Sequence, residues 1–201
     1  MVPAMSDSRI PIFPLNTVLF PGGMLPLRVF ETRYMDMTSD CLRRGRPFGV
    51  CLIREGREVG APATPEPVGC LAHITDCDMQ QLGLLQLKTL GGQRFRILGS
   101  RTEAQGLIRA DIEMIPIEAA IPLPDRFISF TRLLERLAAE QDPPIFAEPH
   151  GFGDAAWVGY RLSEILPAPL AVKQMLLELG DSLARLDILQ RFLTQLGLDP
   201  S

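Results

Sequence analysis

The stretch FPLNTVLFPGGMLPLRVFETRYMDM, residues 13–37, decides how the fold is read. It is the most apolar early segment of the chain, yet Pro14, Pro21 and Pro26 interrupt it. Proline removes a backbone donor and fixes φ, so the stretch is neither one helix nor one central strand. The residue before each proline is pushed toward extended geometry. The pattern calls for a bent, buried path.

Helical spacing takes over at ETRYMDMTSDCLRRG, residues 31–45, where Tyr34, Met37, Cys41 and Leu42 recur on one face. Arg43 and Arg44 suit the negative end of the helix dipole, and Gly45 is a natural stop. PFGVCLI then reads as a short strand, REGREVG as a polar loop and APATPEP as a connector. From Val68 to about Glu118 the pattern is strand-like. A first strand is expected to end near Thr75 in an acidic turn. GLLQLKTLGGQRFRILG is expected to give two strands joined near Gly91-Gly92, with Phe95 and Ile97 on one face and Arg94 and Arg96 on the other. GLIRADIEMIPI adds a strand closed by Pro116.

The character then changes. DRFISFTRLLERLAAEQ carries Phe127, Phe130, Leu134 and Leu137 as a helical stripe. After the loop DPPIFAEPHGFGD, in which His150 is expected to be exposed, Asp154 is placed to cap the helix AAWVGYRLSEIL. PLAVKQMLLELG and DSLARLDILQRFLTQLG supply two more helices, the second capped by Asp181 and striped with Leu183, Leu186, Leu189, Leu193 and Leu196. Strands first and helices afterwards indicate an α+β fold. Residues 9–118 are expected to form a β-rich subdomain and residues 124–199 a helical-bundle subdomain.

Composition and motifs exclude more chemistry than they suggest. The chain has 201 residues, a net charge of −4 and 46% apolar residues, the balance of an ordinary globular protein. The acidic surplus argues against nucleic acid, although Arg43, Arg44, Arg46, Arg54 and Arg57 offer a basic rim. No apolar run reaches the roughly 20 residues that span a bilayer, and no secretion signal is expected, since residues 1–15 have no basic region followed by an unbroken apolar one. A cytoplasmic protein is expected, with Cys41, Cys51, Cys70 and Cys77 as reduced, core-type thiols. Lys88-Thr89 mimics the end of a phosphate-binding loop, but Leu82 and Leu87 stand where its glycines belong. CLAHITDCD offers Cys70, His73, Asp76, Cys77 and Asp78 as metal-type ligands. In a strand Cys70 and His73 point to opposite faces, so no metal site or cofactor is assigned. With no nucleophile motif beside His73 or His150, no catalytic residue is assigned either.

The opening does have a family resemblance. Residues 12–15, 18–22, 25–27 and 29–34 resemble the P-L-F-P-L, V-x-F-P-G, L-P-L and F-E-x-R-Y run that begins the Lon protease amino-terminal, substrate-binding domain family. FGVCLI, VGCLAHI with Gly69, GGQRFRI and the tail LPAPLAVKQMLLELGDSLARLDILQRFL, with its Arg185-Leu186 pair, follow in order. The resemblance runs from about Arg9 to Gly197. It implies a PUA-like β pseudo-barrel with one covering helix, followed by a C-terminal helical bundle, in a stand-alone domain without ATPase or protease modules. It also implies a non-enzymatic module that binds exposed apolar segments of unfolded or damaged proteins, with a separate protease or chaperone as a further partner. RNA binding and small-ligand binding in a barrel–bundle cleft are the alternatives. Phe146, Phe152, Trp157 and Tyr160 are the candidate peptide-contact residues.

Overall fold

In the computed structural model, which describes residues 9–195 and 197, Pro21 alone marks a bend. Pro14 lies within β1 (Ile10–Leu15) and Pro26 within β2 (Met24–Val29), so two of the three prolines sit inside strands. Each is placed where one strand edge has no neighbour. Pro14 is beyond the last pairing of β1 with β7, at Ile12↔Ile108, and among the described residues β2 has β6 alone beside it. A missing N–H costs least at such an edge.

The remaining strands are β3 (Phe48–Glu55), β4 (Thr64–Pro65), β5 (Val68–Gln81), β6 (Leu84–Thr102) and β7 (Ile108–Met114). They pair in the order β1-β7-β6-β5-β3-β4, and β1 also pairs in parallel with β3, so five strands return on themselves as a ring. Every other pairing is antiparallel. Helix α1 (Thr32–Arg44) follows β2 and stops at Gly45, whose φ of 60° is left-handed, as the sequence predicts.

Two strand boundaries differ from expectation. β6 runs unbroken through Gly91-Gly92 because these glycines mark a close approach, and the turn lies elsewhere. A β-carbon on Gly91 would come within 2.0 Å of the Phe20 carbonyl oxygen. On one side of the pair β6 lies beside β2, and beyond it β6 pairs with β7. β5 likewise continues through Thr75 to Gln81, since Asp76 is held across the ladder by Lys88 at 3.0 Å. The hairpin turns at Leu82-Gly83, where Gly83 has φ 82° and Leu82 is 95% exposed.

After the strands come a short 3₁₀ turn (Asp125–Phe127) and helices α2 (Ile128–Glu140), α3 (Ala155–Ile165), α4 (Leu170–Glu178) and α5 (Ser182–Gln195). Asp154 caps α3 by accepting from Trp157 N at 3.1 Å. Asp181 caps α5 by accepting from Leu183 N and Ala184 N at 2.9 and 3.0 Å. Leu196 of the predicted stripe lies outside the described residues, as does the far end of the helical region expected to reach residue 199. The fold is mixed α+β, mostly antiparallel strands with helices.

One core cluster joins Val18, Phe20, Leu52 and Val68 of the strand region to Phe130, Leu134, Val158, Leu162, Leu186 and Leu189 of the helices. A second packs Phe13, Leu15, Val29, Phe48 and Leu87 against Tyr34 and Met37 of α1. On the other face of β1, Ile12 packs in a third cluster with Cys51, Phe95, Ile108 and Ala110, so β1 buries both faces and its sequence is apolar throughout rather than alternating.

Candidate binding cleft where strands meet helices

Helix α3 is the element that ties the opening turn to the rest of the chain. Arg161, on its buried face, donates from Nη2 to the Pro21 carbonyl at 2.7 Å and to Glu164 Oε1 at 2.8 Å. The turn is pinned from the strand side as well: Gly22 N donates to Gly91 O at 2.7 Å, and Gly91 N donates to Gly23 O at 2.8 Å. Gly22 has φ 72°, and a β-carbon on Gly23 would lie 2.1 Å from Glu164 Oε1. The Pro-Gly-Gly sequence is thus the form of turn that lets a helix carboxylate and a strand backbone approach from two sides.

Burial pushes the Glu164 carboxyl up to about 7 against the opposing pull of Arg161 and Lys173. Its pKa is higher in the folded chain than its ordinary value near 4.5, so its contribution is full below that value and is lost as pH rises through 7. Thermal stability is expected to fall by about 2 kcal/mol between pH 5 and pH 8 on this account. Glu164→Gln is expected to flatten that slope in a series of melting curves, and an unchanged slope would refute the assignment.

Beneath the same face lies a second charge network. Glu118, 7% exposed at its side chain, accepts from Arg185 Nη2 and Nη1 at 2.6 and 3.0 Å and from the Tyr160 hydroxyl at 2.6 Å. Arg94 Nη2 stands 3.0 Å from the same carboxylate. Burial raises the Glu118 pKa, but the bonds from Arg185 and Tyr160 and the charges of Arg185 and Arg94 outweigh it and leave it below the ordinary range. Burial, with the Glu118 bond, pushes the Tyr160 phenol up. The two arginines also close the end of α4. Arg94 donates to Leu177 O and Leu179 O at 2.7 and 2.6 Å, and Arg185 Nε donates to Leu176 O at 3.0 Å. These are the last carbonyls of a helix, which have no partner within it and carry its negative dipole.

Above this base the strands and helices leave a cleft of about 370 Å³, lined by Pro21, Gly91, Ile115, Ile117, Trp157 and Tyr160 among others. Ile117 is 80% exposed at its rim. Trp157 and Tyr160 therefore share one helix face, as their spacing predicts, and both reach the cleft. Phe146 and Phe152 do not line it. They hold Trp157 from behind, with ring centroids at 5.7 and 5.0 Å in edge-on contact. Phe146 and Tyr160 are buried, and Phe152 and Trp157 are half-buried.

His150 lies elsewhere than the sequence predicts, half-buried rather than exposed, edge-on to Phe152 at 5.1 Å, because Gly151 lets the loop settle against Trp157. Arg94, on the face of β6 opposite Phe95, is 3% exposed, because it lies against the end of α4. Cys70 is buried and His73 exposed, and among the described residues no group of three His, Cys, Asp or Glu side chains is arranged for a metal ion. Cys41, Cys51 and Cys70 are buried and Cys77 half-buried, all as free thiols. Arg43 and Arg44 both pair with Asp40. Among the described residues no helix is long and apolar enough to cross a membrane. Sequence reasoning missed Glu118, Arg161 and Glu164. The available signal was charge inside an apolar stripe: Arg161 follows Trp157 by four positions and precedes Glu164 by three.

Comparison with known proteins agrees with this architecture. The N-terminal domain of a Lon protease from the Mycobacterium avium complex shares the fold, with a TM-score of 0.66 at 17% identity over 92% of this chain and 98% of that one. A Lon N-terminal domain protein from Xanthomonas campestris superposes with a TM-score of 0.75 at 35% identity, covering 90% of this chain and 96% of that one. Cereblon from Xenopus tropicalis is 30% identical over 122 residues, 59% of this chain and 26% of that protein. Cereblon from Gallus gallus is 30% identical over 117 residues, 56% of this chain and 25% of that protein. The chain thus spans about a quarter of the length of the curated relatives it matches. Residues 9–195, which hold the opening turn, the cleft and the charge network alike, match the substrate-binding domain of ATP-dependent protease La (LON), and the chain belongs to that family.

Proposed function

We propose that the protein binds polypeptide without acting on it chemically, taking exposed apolar segments of unfolded or damaged chains into the cleft beside Trp157 and Tyr160. The cleft carries the reading: its wall is aromatic and aliphatic, and its ionisable groups are already committed. Glu118 holds two arginines and a tyrosine, and Asp154 caps α3. Apolar side chains gain by entering such a hollow, whereas a general acid or base needs a free proton-transfer position. The description of the family as the substrate-binding domain of a protease supports the same class of ligand. In this reading Phe146 and Phe152 orient the contact residues rather than touch the ligand. The functional halves are a PUA-like unit over residues 9–118 and a helical bundle over residues 124–199. A cytoplasmic protein working beside a separate protease or chaperone completes it.

The test is a fluorescence-anisotropy titration of dye-labelled reduced, carboxymethylated α-lactalbumin, of its labelled folded form and of a labelled single-stranded RNA with the protein, each at low and high salt. Saturable, salt-tolerant binding of the unfolded chain alone is expected. Ile117→Asp is expected to weaken it about tenfold, the value of one lost apolar contact, with no change in melting temperature. Binding of RNA alone, lost at high salt, would overturn the reading.

A further inference from the structure

A groove follows β2 along its whole length, on the far side of the opening turn from the cleft. Met24 and Leu25 line a hollow of about 220 Å³. Leu25 through Phe30 line the next, of about 380 Å³, and the two share Thr17 and Leu25. Opposite β2 stand Phe13, Leu15 and Tyr34, with Val59 at the rim. β2 pairs with β6 from Met24↔Leu90 to Val29↔Leu85, and among the described residues no other strand pairs with it. Leu25 and Leu27 pack against the core cluster of Phe13, Leu15 and Tyr34, yet both stay only half-buried. A strand in that condition has a neighbour's place beside it.

We propose that this groove takes an extended polypeptide segment that adds to β2 as a further strand. The proposal rests on the polypeptide-binding reading and assigns it a second, backbone-directed contact. The chemistry of the edge names the occupant. A row of main-chain N–H and C=O groups repeating at strand spacing is matched by another extended main chain. An unfolded chain supplies such a main chain along its whole length, without giving up a paired strand of its own. Alternate side chains of the segment would point toward Phe13, Leu15 and Leu27, so the preferred segment is apolar at every second position. Pro26 removes one donor and Arg28 places a charge on the exposed face, devices that keep an open edge from pairing indiscriminately.

The experiment uses the full chain and three synthetic heptapeptides of alternating valine and threonine: unmodified, N-methylated at positions 2, 4 and 6, and N-methylated at positions 3 and 5. The two methylated peptides block opposite edges. One is expected to bind about tenfold more weakly than the parent and the other about equally. Amide exchange within residues 24–30 is expected to slow when the parent peptide or carboxymethylated α-lactalbumin is bound. Equal binding by both methylated peptides, or unchanged exchange in β2 with the probe bound, overturns the proposal. If the unfolded protein binds, Ile117→Asp weakens it and β2 exchange is unchanged, the cleft reading stands and the strand-addition proposal falls. If no polypeptide binds the unaltered protein, both fall.

Discussion

Glu118→Gln is expected to destabilise the protein by about 3–5 kcal/mol, the usual cost of leaving buried charges without their partner. The substitution keeps the shape and removes the charge that faces both Arg94 and Arg185, of which Arg185 is 0% exposed. For a chain of this length the loss corresponds to a melting temperature lower by about 10 °C. Arg185→Met in the Glu118→Gln background is expected to recover part of it, since one uncompensated charge then leaves the interior. The control is Asp187→Asn, which breaks an exposed pair with Arg126 and is expected to change stability by less than about 1 kcal/mol. If the two single substitutions melt alike, Glu118 is not the keystone described above. The pKa of Glu118 is held below its ordinary value, so this contribution is present above pH 4.5 and lost as pH falls through the folded value.

The second large effect belongs to Gly91→Ala, expected to cost about 3 kcal/mol or more through overpacking against backbone. A methyl group there meets the Phe20 carbonyl oxygen, which no side-chain rotation can move aside. Relief by shifting the chain would stretch both bonds that join Gly91 to the opening turn. Gly99, on the same strand, has open space at its β-carbon. Gly99→Ala is expected to be neutral or to stabilise by up to about 1 kcal/mol, through the unfolded chain. Urea denaturation of the two variants decides the point, and equal midpoints would refute it.

The difference between these glycines also shows what can be read from the sequence. Local signals act over a few residues, and these were legible: the end of α1 at Gly45, the caps at Asp154 and Asp181, and the shared helix face of Trp157 and Tyr160. The alternation in RFRIL was legible too, but alternation separates two faces without saying which is covered. The cover of Arg94, the end of α4, comes more than 80 residues later. A pair of glycines reads equally as a turn or as a close approach, and Phe20 settled that choice from 71 positions away. The candidate site was legible in the same proportion. Two of the aromatic residues that line it, Trp157 and Tyr160, could be named, while Glu118 and the arginines beneath them are defined by partners that no local window contains.

The strand ring has a consequence for how the chain reaches this state. Ile10 pairs with Ala110, 100 positions later, and Pro21 receives its bond from Arg161, 140 positions later. Contacts this distant must be preceded by ordering of the chain between them, which slows folding. A nascent chain emerging from the ribosome therefore carries its apolar first strand without its antiparallel partner until residue 110 has been made, and the proline-rich opening is locked only when α3 follows. Part of the most hydrophobic early segment thus waits for residues made much later, so during synthesis this protein presents a surface of the kind it is proposed to recognise in others.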